Sequence, residues 1–254
     1  MLSKNQVKYL HSLRLRKFRD LNRAFTAEGV KLVDEFLHSH FTIQQIYATG
    51  SWIESNHYLS HSKNINLQEV TEDDLKRISN LVTPNEVLAV VNYPESGITS
   101  ADQLGKIILV LDHLQDPGNL GTIIRTADWF GIRQIFCSED TVDVFNPKVV
   151  QSTMGSICRV KLHYGPLEDQ LRHLEGWHIY GTMADGENIY QATLLYPSAI
   201  VIGNESKGIS EALLPLLTNR IGIPAGREGA ESLNASVAAG IICSEFSRRL
   251  ALGR

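Results

Sequence analysis

The chain has 254 residues, of which 43% are hydrophobic and 20% are charged, and its formal net charge is −4. This composition is typical of a globular protein of one or two domains, and it excludes a chain too polar to build a core. No run of about 18 apolar residues indicates a membrane span, and the N-terminus lacks the apolar region of a secretory signal. Three cysteines without metal-ligand spacing predict reduced thiols in a cytoplasmic protein and no structural zinc.

The charge is unevenly distributed along the chain. Seven lysines and arginines against one aspartate give residues 1–23 a net charge of +6, which leaves −10 for the remainder. A basic N-terminal element of this kind is typical of contact with a polyanion such as RNA. The alternative is a solvated helix face, which the charge pattern by itself does not exclude. The candidate RNA-binding residues of this element are Arg14, Arg16, Lys17, Arg19 and Arg23.

The first part of the chain alternates helical and extended patterns. The predicted helices lie over 1–20, over 28–38 and up to Ser79, and the predicted strands lie over 23–27, 42–48 and 86–92. Thr71 is a candidate N-cap for the helix that ends near Ser79. The turn-rich stretch 96–105 is predicted to be a linker that follows this compact α/β unit.

From residue 106 onwards, apolar strands alternate with helices. The predicted strands are 106–111, 134–137, 158–162, 178–183 and 199–203, and the predicted helices are 119–130, one from Pro147, 166–174, 210–217 and one after Asn234. This alternation predicts a parallel sheet covered on both faces. Ligands bind at the carboxyl ends of the strands in such sheets, so the loops that follow the strands are the candidate binding elements.

The first of these loops, DHLQDPGNLGTIIRTADWFG at 112–131, leads from a strand into a helix. Asn119 can cap that helix, and Arg125 lies on it about one and a half turns further on. An arginine beside a capped helix start suits an anionic group. A helix-surface arginine without a binding role is the more common alternative.

The second loop, VIGNESKGIS at 201–210, has Gly203 and Gly208 at the spacing of a phosphate loop. Ile209 stands where such a loop requires lysine, so the stretch is not a Walker A loop. No GxGxxG follows a strand anywhere in the chain. Its absence from the sequence argues against the nicotinamide fingerprint and against the glycine loop of an ordinary Rossmann methyltransferase.

The third loop lies within RIGIPAGREGAESLNASVAAGIICSEFSRR at 220–249, where a short strand ends at Pro224 and a helix of small residues follows. Ser232 or Asn234 is predicted to cap this helix. The loop's glycines, Gly229 among them, let the backbone approach a ligand closely. The layout is typical of a ligand loop, and an ordinary strand-to-helix connection is the alternative of equal weight.

In order and spacing, these three stretches closely resemble the signature motifs of the SpoU/TrmH family of RNA 2′-O-ribose methyltransferases. The segment NPKVVQSTMGS at 146–156 is similar to the family pattern between them. Residues 1–95 look like the L30e-like RNA-binding domain that many ribosomal-RNA members carry ahead of the catalytic domain. The resemblance therefore covers nearly the whole chain.

The resemblance implies an α/β fold with a smaller L30e-like α/β domain at 1–95, a linker at 96–105 and a parallel-sheet catalytic domain at 106–254. It implies that the C-terminal part is threaded as a trefoil knot, one of the few exceptions to unknotted connections. It also implies S-adenosylmethionine bound in the knot and a homodimer with the active site at the subunit interface. No metal and no membrane contact are expected.

Carried over by position, the resemblance assigns polar active-site roles to Asn119, Arg125, Glu205, Ser232 and Asn234. The residues implied to line the cofactor pocket, largely through main-chain groups, are Thr182, Met183, Ile202, Gly203, Asn204, Gly208, Ile223, Pro224, Ala225, Ser232 and Leu233. At Gly203, a larger side chain is expected to intrude where the backbone meets the cofactor. Arg125 is also expected to contact RNA, together with the basic N-terminal residues.

Methyl transfer to a ribose hydroxyl neutralises charge, so a dry pocket and in-line positioning favour it. The family often gives the Arg125 position the role of base. Because guanidinium stays protonated to about pH 12, we prefer Arg125 as the group that fixes the adjacent phosphate and stabilises the forming alkoxide. Asn119 would then orient Arg125 or the ribose, and Glu205 would hold the loops together or balance the sulfonium. Ser232 and Asn234 would set the loop geometry.

The predicted function is S-adenosylmethionine-dependent 2′-O-methylation of structured RNA. Large-subunit ribosomal RNA is favoured over transfer RNA, because transfer-RNA members of the family more often carry short helical extensions than an L30e-like domain. The alternatives are a transfer-RNA methyltransferase and a non-catalytic RNA-binding or ribosome-assembly protein of the same fold. The joint presence of five polar site residues favours an enzyme, and the basic N-terminus argues against a small-molecule substrate.

Overall fold

The computed structural model describes residues 1–61, 65–94, 105–226 and 232–253, without the side chains of residues 60 and 61. The predicted linker at 96–105 lies outside the described residues except for Gly105, and so does Gly229 of the third loop. The chain forms two compact units. The first unit is Met1–Gly97 with Asp143–Cys158, and the second unit is Ile98–Val142 with Arg159–Arg254. The first unit therefore recruits a segment from the middle of the sequence.

The first unit contains a mixed four-stranded sheet. Its strands are β1 (Ala24–Glu28), β2 (Ile43–Ala48), β3 (Leu67–Glu69) and β4 (Val87–Asn92), in the order β1-β4-β2-β3. Strand β4 pairs antiparallel with both β1 and β2, whereas β2 and β3 are parallel. The helices are α1 (Lys4–Ser12), α2 (Arg16–Asn22), α3 (Val30–Leu37), α4 (Gly50–Ser55), α5 (Glu72–Ile78) and α7 (Pro147–Thr153). The sequence analysis missed the short elements α4 and β3.

The predicted single helix over 1–20 is wrong, because the chain breaks between α1 and α2. Leu15 adopts an extended conformation there and precedes α2 without a side-chain cap. The break leaves the carbonyl oxygens of Leu13 and Arg14 without a continuing helix. Both accept hydrogen bonds from Nη1 of Arg19, at 3.0 and 2.8 Å. The predicted cap of α5 is confirmed, since the Thr71 side chain accepts a hydrogen bond from the Asp74 amide.

The segment Asp143–Cys158 is bound into the first unit by a buried ion pair and an aromatic stack. Arg19 is only 2% exposed, and its Nη2 lies 2.5 Å from the Asp143 carboxylate. Phe145 stacks on both Phe25 and Tyr93, with ring centroids 4.7 and 4.2 Å away. These contacts place the segment within the same core as β1, rather than on its surface.

The second unit is built on a six-stranded sheet in which every described pairing is parallel. Its strands are β5 (Ile107–Leu111), β6 (Gln134–Cys137), β7 (Lys161–Tyr164), β8 (His178–Asn188), β9 (Ser198–Ile202) and β10 (Asn219–Gly222), in the order β10-β8-β9-β5-β6-β7. The helices are α6 (Pro117–Trp129), α8 (Leu167–Arg172) and α9 (Ala235–Ala251). The predicted parallel sheet is therefore confirmed.

The sheet order places the loops after β5 and β9 next to each other. The chain runs outward from β5 through β6 and β7, then crosses to β8 and returns to β9 beside β5. The chain continues from β5 toward one edge of the sheet and from β9 toward the other edge. Two adjacent strands whose connections run in opposite directions leave a crevice at their carboxyl ends, and ligands bind in such crevices in open α/β sheets.

Two predicted elements of the second unit are wrong. Residues 210–217 contain only a 3₁₀ turn at Leu214–Leu216, because Pro215 has no amide hydrogen to donate and disfavours helical backbone before it. The strand predicted over 158–162 begins later, at Lys161, since Ser156–Cys158 form a 3₁₀ turn. Strand β8 is longer than predicted.

Candidate active site

The start of helix α6 is set by Asp116 and not by Asn119. The Asp116 carboxylate accepts a hydrogen bond from the Asn119 amide at 2.7 Å, and Pro117 takes the first helical position, where a missing amide hydrogen costs nothing. The predicted cap at Asn119 is therefore wrong. Because Asn119 lies inside the first turn, its own side chain is available for contacts beyond the helix.

The buried side chain of Asn119 joins the three candidate loops. Its Nδ2 donates to Oε1 of Glu205 at 2.9 Å, and its Oδ1 accepts from Nδ2 of Asn234 at 3.0 Å. Glu205 follows β9, and Asn234 precedes α9. Three stretches separated by up to 115 positions in sequence thus meet through one amide. This amide relay, formed by Asn119, Glu205 and Asn234, is the centre of the candidate site.

The loop after β9 is held in a tight turn by Asn204. The Oδ1 of Asn204 accepts hydrogen bonds from the amides of Ser206 and Lys207, at 3.0 and 3.1 Å. The backbones of Asn204 and Gly208 also exchange two hydrogen bonds of 2.9 Å. The Nδ2 of Asn204 donates to the His113 carbonyl at 2.8 Å, which fixes the turn to the end of β5.

Gly203 is needed by the turn itself. A Cβ at this position would lie 2.3 Å from the Gly208 carbonyl carbon and 2.4 Å from the Ile209 nitrogen. Backbone atoms at that distance cannot give way. The family resemblance predicts close approach of a cofactor at this glycine, whereas in the structure the approaching group is the loop's own backbone. A larger residue at position 203 would therefore displace the whole turn, including Glu205.

Asp112 and His113 at the end of β5 complete the framework and were missed by the sequence analysis. The Asp112 carboxylate is buried and accepts from the Ser210 amide at 2.7 Å. His113 has a left-handed backbone with φ of 54°, and its ring lies 3.0 Å from the Asp140 carboxylate. An acidic residue that directly follows a buried parallel strand was the signal available in the sequence.

Asn234 is the N-cap of α9, as predicted, and Ser232 is not. The Oδ1 of Asn234 accepts hydrogen bonds from the amides of Ser236 and Val237, at 2.9 and 3.3 Å. One oxygen therefore caps the helix while the amide nitrogen reaches Asn119. Ser232 is exposed, and its side chain makes no hydrogen bond with the residues that the structure describes.

Arg125 lies on the outer face of α6, together with Thr122 and Trp129. The buried residues Ile123, Ile124 and Ala127 occupy the opposite face. Arg125 is exposed, and no acceptor among the described residues engages its guanidinium. Asn119 makes its side-chain bonds to Glu205 and Asn234, so the structure does not support the interpretation that Asn119 orients Arg125. The guanidinium keeps its donors for a ligand.

Most of the residues predicted to bind the cofactor lie at or just after the ends of β9 and β10, whereas Thr182 and Met183 lie within β8. Ile202 is buried, and Ile223, Thr182 and Met183 are partly buried. The register of β10 on β8 jumps from Gly181 to Glu187. Thr182 and Met183 therefore leave the ladder, and the Met183 side chain packs on the apolar core. Pro224, Ala225 and Leu233 are exposed.

The predicted RNA-binding residues of the first unit differ in their exposure to solvent. Arg14, Arg16, Lys17 and Arg23 are exposed. Arg14 donates to the Ser79 carbonyl, and the guanidinium of Arg23 lies 4.9 Å from the Tyr93 ring centroid. Arg19 is buried, and all its described bonds are to Leu13, Arg14 and Asp143. The prediction that Arg19 contacts RNA is therefore wrong.

The described residues contain no group of three or more histidine, cysteine or acidic side chains that could hold a metal ion. None of the helices in the described ranges is long and apolar enough to cross a membrane. Cys137, Cys158 and Cys243 are buried and form no disulfide with one another, and burial raises the pKa of the Cys243 thiol to about 12. A thiol of that pKa is not ionised near neutral pH and is a poor nucleophile or ligand.

Comparison with known proteins agrees with this geometry. The model of the SpoU rRNA Methylase family matches residues 106–244, which include all three loops and the amide relay. The chain belongs to this family. A second model, of the MRM3-like substrate binding domain, matches residues 4–89. The predicted family, the α/β fold with an N-terminal substrate-binding domain and the predicted methyltransferase class are thereby confirmed.

The similarity to individual SpoU proteins extends over nearly the whole chain. The 23S rRNA (guanosine(2553)-2′-O)-methyltransferase RlmP of Bacillus subtilis is 34% identical over 245 residues, which are 94% of this chain and 95% of that protein. A structure from Porphyromonas gingivalis assigned to the TrmH family of RNA methyltransferases is 39% identical, with a TM-score of 0.87 over 98% of this chain and 99% of that one. The AdoMet-bound rRNA methyltransferase from Sinorhizobium meliloti is 30% identical, with a TM-score of 0.87 over 98% and 97% of the two chains.

Proposed function

We propose that this protein transfers a methyl group from S-adenosylmethionine to a ribose 2′-hydroxyl of ribosomal RNA. The observation that carries the proposal is the amide relay, which gathers the three family loops while Arg125, on the same helix as Asn119, keeps an exposed guanidinium. Without a cation, the amide relay would only hold the loops together and would offer no group to bind a phosphate. A cation on the same rigid element provides a group that can receive a phosphate.

The cofactor is expected to occupy the ends of β9 and β10. When bound, S-adenosylmethionine supplies an electrophilic methyl group on a sulfonium. The surface of this region fits such a group: Leu233 leaves 48% of its area exposed directly before the cap of α9, and Pro224 and Ala225 are exposed after β10. Apolar surface beside main-chain groups suits an adenosyl moiety, whose ring is apolar and whose edges need hydrogen bonds. The residues of this region therefore fit the cofactor in the chemical groups that they offer and in their exposure to solvent.

Arg125 is assigned to the RNA and not to proton abstraction. Its guanidinium stays protonated at working pH, so it can donate to a phosphate or to the forming alkoxide but cannot accept the proton. A fixed donor aimed at developing negative charge lowers the barrier without reorganisation during the reaction. A phosphate oxygen or water then takes the hydroxyl proton.

Glu205 and Asn234 act as positioning residues in this proposal. Both are bound to Asn119, and Asn234 also caps α9, so Asn119 fixes the position of Glu205 relative to the start of α9. The second carboxylate oxygen of Glu205 can accept a hydrogen bond from a ribose hydroxyl or counter a positive charge. Ser232, which lies close to Asn234 in sequence, is free to do the same. Holding a hydroxyl in line with a methyl donor accounts for much of the rate enhancement.

The substrate is proposed to be ribosomal RNA because of the N-terminal unit. The match to a substrate-binding domain covers the sheet and helices around β1–β4, and the exposed cations Arg14, Arg16, Lys17 and Arg23 lie at its N-terminal end. RlmP of Bacillus subtilis is named as a 23S rRNA enzyme. The matched substrate-binding domain and its exposed cations support that substrate for this chain.

The oligomeric state, the knot and the compartment are part of the proposal. A homodimer is supported by apolar surface on α9, where Val237 is half exposed on a helix that packs against α6. The trefoil threading is supported by the family fold. The cytoplasm is supported by three buried cysteines that form no disulfide with one another.

The proposal is tested by calorimetry and by methyl transfer. Purified protein should bind S-adenosylmethionine with a measurable heat. It should also transfer a tritiated methyl group to ribosomal RNA from cells that lack the protein, and nuclease digestion should release a 2′-O-methylated nucleotide. Transfer RNA from the same cells is the control substrate. Cofactor binding without transfer to either RNA would favour a ribosome-assembly protein, and transfer to transfer RNA alone would contradict the ribosomal assignment.

A further inference from the structure

Trp129, the last residue of α6, is 85% exposed. The other two tryptophans behave differently: Trp52 is 3% exposed, and Trp177 is partly buried against the apolar core of the second unit. Trp129 therefore presents nearly its whole indole ring to solvent at the end of a rigid helix. Its ring contributes nothing to the core that would explain an aromatic residue at this position.

Trp129 shares its helix face with Arg125. Residues four apart on a helix are neighbours, with a rise of about 6 Å between them and Cβ atoms about 5–6 Å apart. The outer face of α6 thus carries Thr122, the guanidinium of Arg125 and the indole of Trp129 in one row. An aromatic ring beside a fixed cation is the arrangement with which proteins bind single-stranded nucleic acid, because the cation meets the phosphate while the ring stacks on a base.

The charges around Trp129 favour RNA over a second protein copy. Arg125 is exposed before it in sequence, and Arg133 is exposed after it. The nearest acid in sequence, Asp128, is already bound by Nε of Arg159 at 2.9 Å. In a symmetric dimer through this face, each copy would bring the same arginines to the contact. Like charges would then oppose each other, whereas a polyanion would be attracted.

We propose that Trp129 stacks on an unpaired base of the RNA next to the phosphate held by Arg125. This inference rests on the proposed function and specifies it: the enzyme would act on a nucleotide in a loop or bulge, where a base adjacent to the target ribose is free to leave the stack. A fully paired helix would offer no such base to the ring.

The test uses the full-length protein and two probes of equal length, a single-stranded oligouridylate and the matching abasic ribose phosphate. Replacing Trp129 by alanine should weaken oligouridylate binding about 5- to 100-fold, the usual range for loss of one stacked base. Trp129→Phe should restore most of the affinity, and Trp129→Leu should not, because leucine is apolar but has no π face. None of the three should change affinity for the abasic probe.

Arg125→Ala is the matched control, since it should weaken both probes. Binding is read from the fluorescence anisotropy of a dye attached to the end of each probe, so the measurement does not depend on the tryptophan that is replaced. Sedimentation of each variant measures self-association. Unchanged oligouridylate affinity in Trp129→Ala, equal rescue by leucine and phenylalanine, or a shift of Trp129→Ala toward monomer would each overturn the inference.

The proposed function has its own readouts, which are the heat of S-adenosylmethionine binding and methyl transfer by the wild-type protein. A wild-type protein that transfers methyl groups while Trp129→Ala binds both probes normally contradicts the stacking role alone. A wild-type protein that shows the tryptophan-dependent binding but neither cofactor heat nor transfer contradicts the enzyme alone.

Discussion

The two units use arginine in opposite ways. In the first unit, Arg19 is buried among the Leu13 and Arg14 carbonyls and the Asp143 carboxylate, so its donors are engaged within the fold. In the second unit, Arg125 is exposed on a helix whose other face is packed. Both residues stand in stretches that the sequence marks as candidate RNA contacts. What separates them is whether hydrogen-bonding capacity remains available to a ligand.

The same contrast applies to the carboxylates. Glu28 in the first unit is buried and accepts from Ser79 Oγ and from the amide and side chain of Asn80. Glu205 in the second unit is exposed and accepts one bond from Asn119. Buried polar groups must be satisfied internally, and their loss leaves a partner unpaired in a low-dielectric region. We therefore expect changes in the first set to affect stability and changes in the second set to affect turnover.

The largest effect on stability is expected for Arg19→Ala. Removing one partner of a buried ion pair leaves the Asp143 carboxylate uncompensated, which costs about 3–5 kcal/mol. Urea unfolding of the full chain measures the change. Arg16→Ala is the control, because Arg16 is 60% exposed in its side chain and forms only an i,i+4 pair with Asp20 at 3.7 Å. The control should change the free energy of unfolding by about 0.5 kcal/mol or less.

Arg125→Ala should lower turnover without lowering stability, which is the reverse of the effect expected for Arg19→Ala. Turnover should fall about 10²- to 10³-fold, the usual cost of removing one donor to developing negative charge, while unfolding and S-adenosylmethionine affinity stay unchanged. The exposed Arg172→Ala, at the end of α8, is the matched control and should keep its turnover within about threefold. If turnover of the Arg125 variant stays within about tenfold of the wild type, the contrast between the two arginines is wrong.

Glu245 is a buried carboxylate of the second unit, and it tests whether such a group affects stability as the buried groups of the first unit are expected to do. Hydrogen bonds from Arg248 and Arg249 lower its pKa from 4.5 to about 2. Since the folded-state pKa is lowered, its contribution to stability is complete above the ordinary pKa of glutamate and is lost as the pH falls toward 2. Glu245→Gln should cost about 2–4 kcal/mol near neutral pH and much less near pH 2.

Unfolding free energies of the Glu245→Gln variant at several pH values check this expectation. Glu211→Gln is the control, because Glu211 is exposed and should behave like the wild type at every pH. Parallel pH curves for the Glu245 variant and the wild type would show that the carboxylate is not the titrating group.

Asn119→Leu should lower both stability and turnover, because Asn119 is a buried, hydrogen-bonded residue and also holds the loops of the candidate site together. The side chain is buried, so losing its two bonds should cost about 1–3 kcal/mol. The loops that hold Glu205 and Asn234 would also lose their common anchor, and the Michaelis constant for S-adenosylmethionine should rise. Thr122→Ala, on the exposed face of the same helix, should change neither. A turnover defect without any change in cofactor binding would mean that the relay does not position the loops.

The smallest effect is expected for the exposed N-terminal cations. Replacing Arg14, Arg16 and Lys17 together by glutamine should reduce the salt dependence of RNA binding by about two to three units of slope, because each phosphate contact contributes about 0.7 to 0.9. Lys31 and Lys76, which are exposed elsewhere in the same unit, form the control pair. Equal slopes for both variants would place the RNA elsewhere.

Much of the fold was predictable from local patterns. The apolar runs that became β5, β6, β8 and β9 are short and continuous, as expected for buried parallel strands. The caps at Thr71 and Asn234 were identified correctly because side-chain capping acts over two or three residues. The cap at Asn119 was placed wrongly, since Asp116 three residues earlier offers the same chemistry and Pro117 favours the first helical position.

The sequence by itself determined most of the elements and which loops are candidates for the chemistry, because hydrophobic period, capping and glycine spacing are local properties of the chain. Only the tertiary structure decided which polar residues have donors left for a ligand. Arg19 and Arg125 are indistinguishable in one dimension, and so are a glycine required by a cofactor and one required by its own turn, as at Gly203. Burial and partner choice depend on residues far away in sequence, such as Asp143 for Arg19 and Asn234 for Asn119, and no local pattern specifies them.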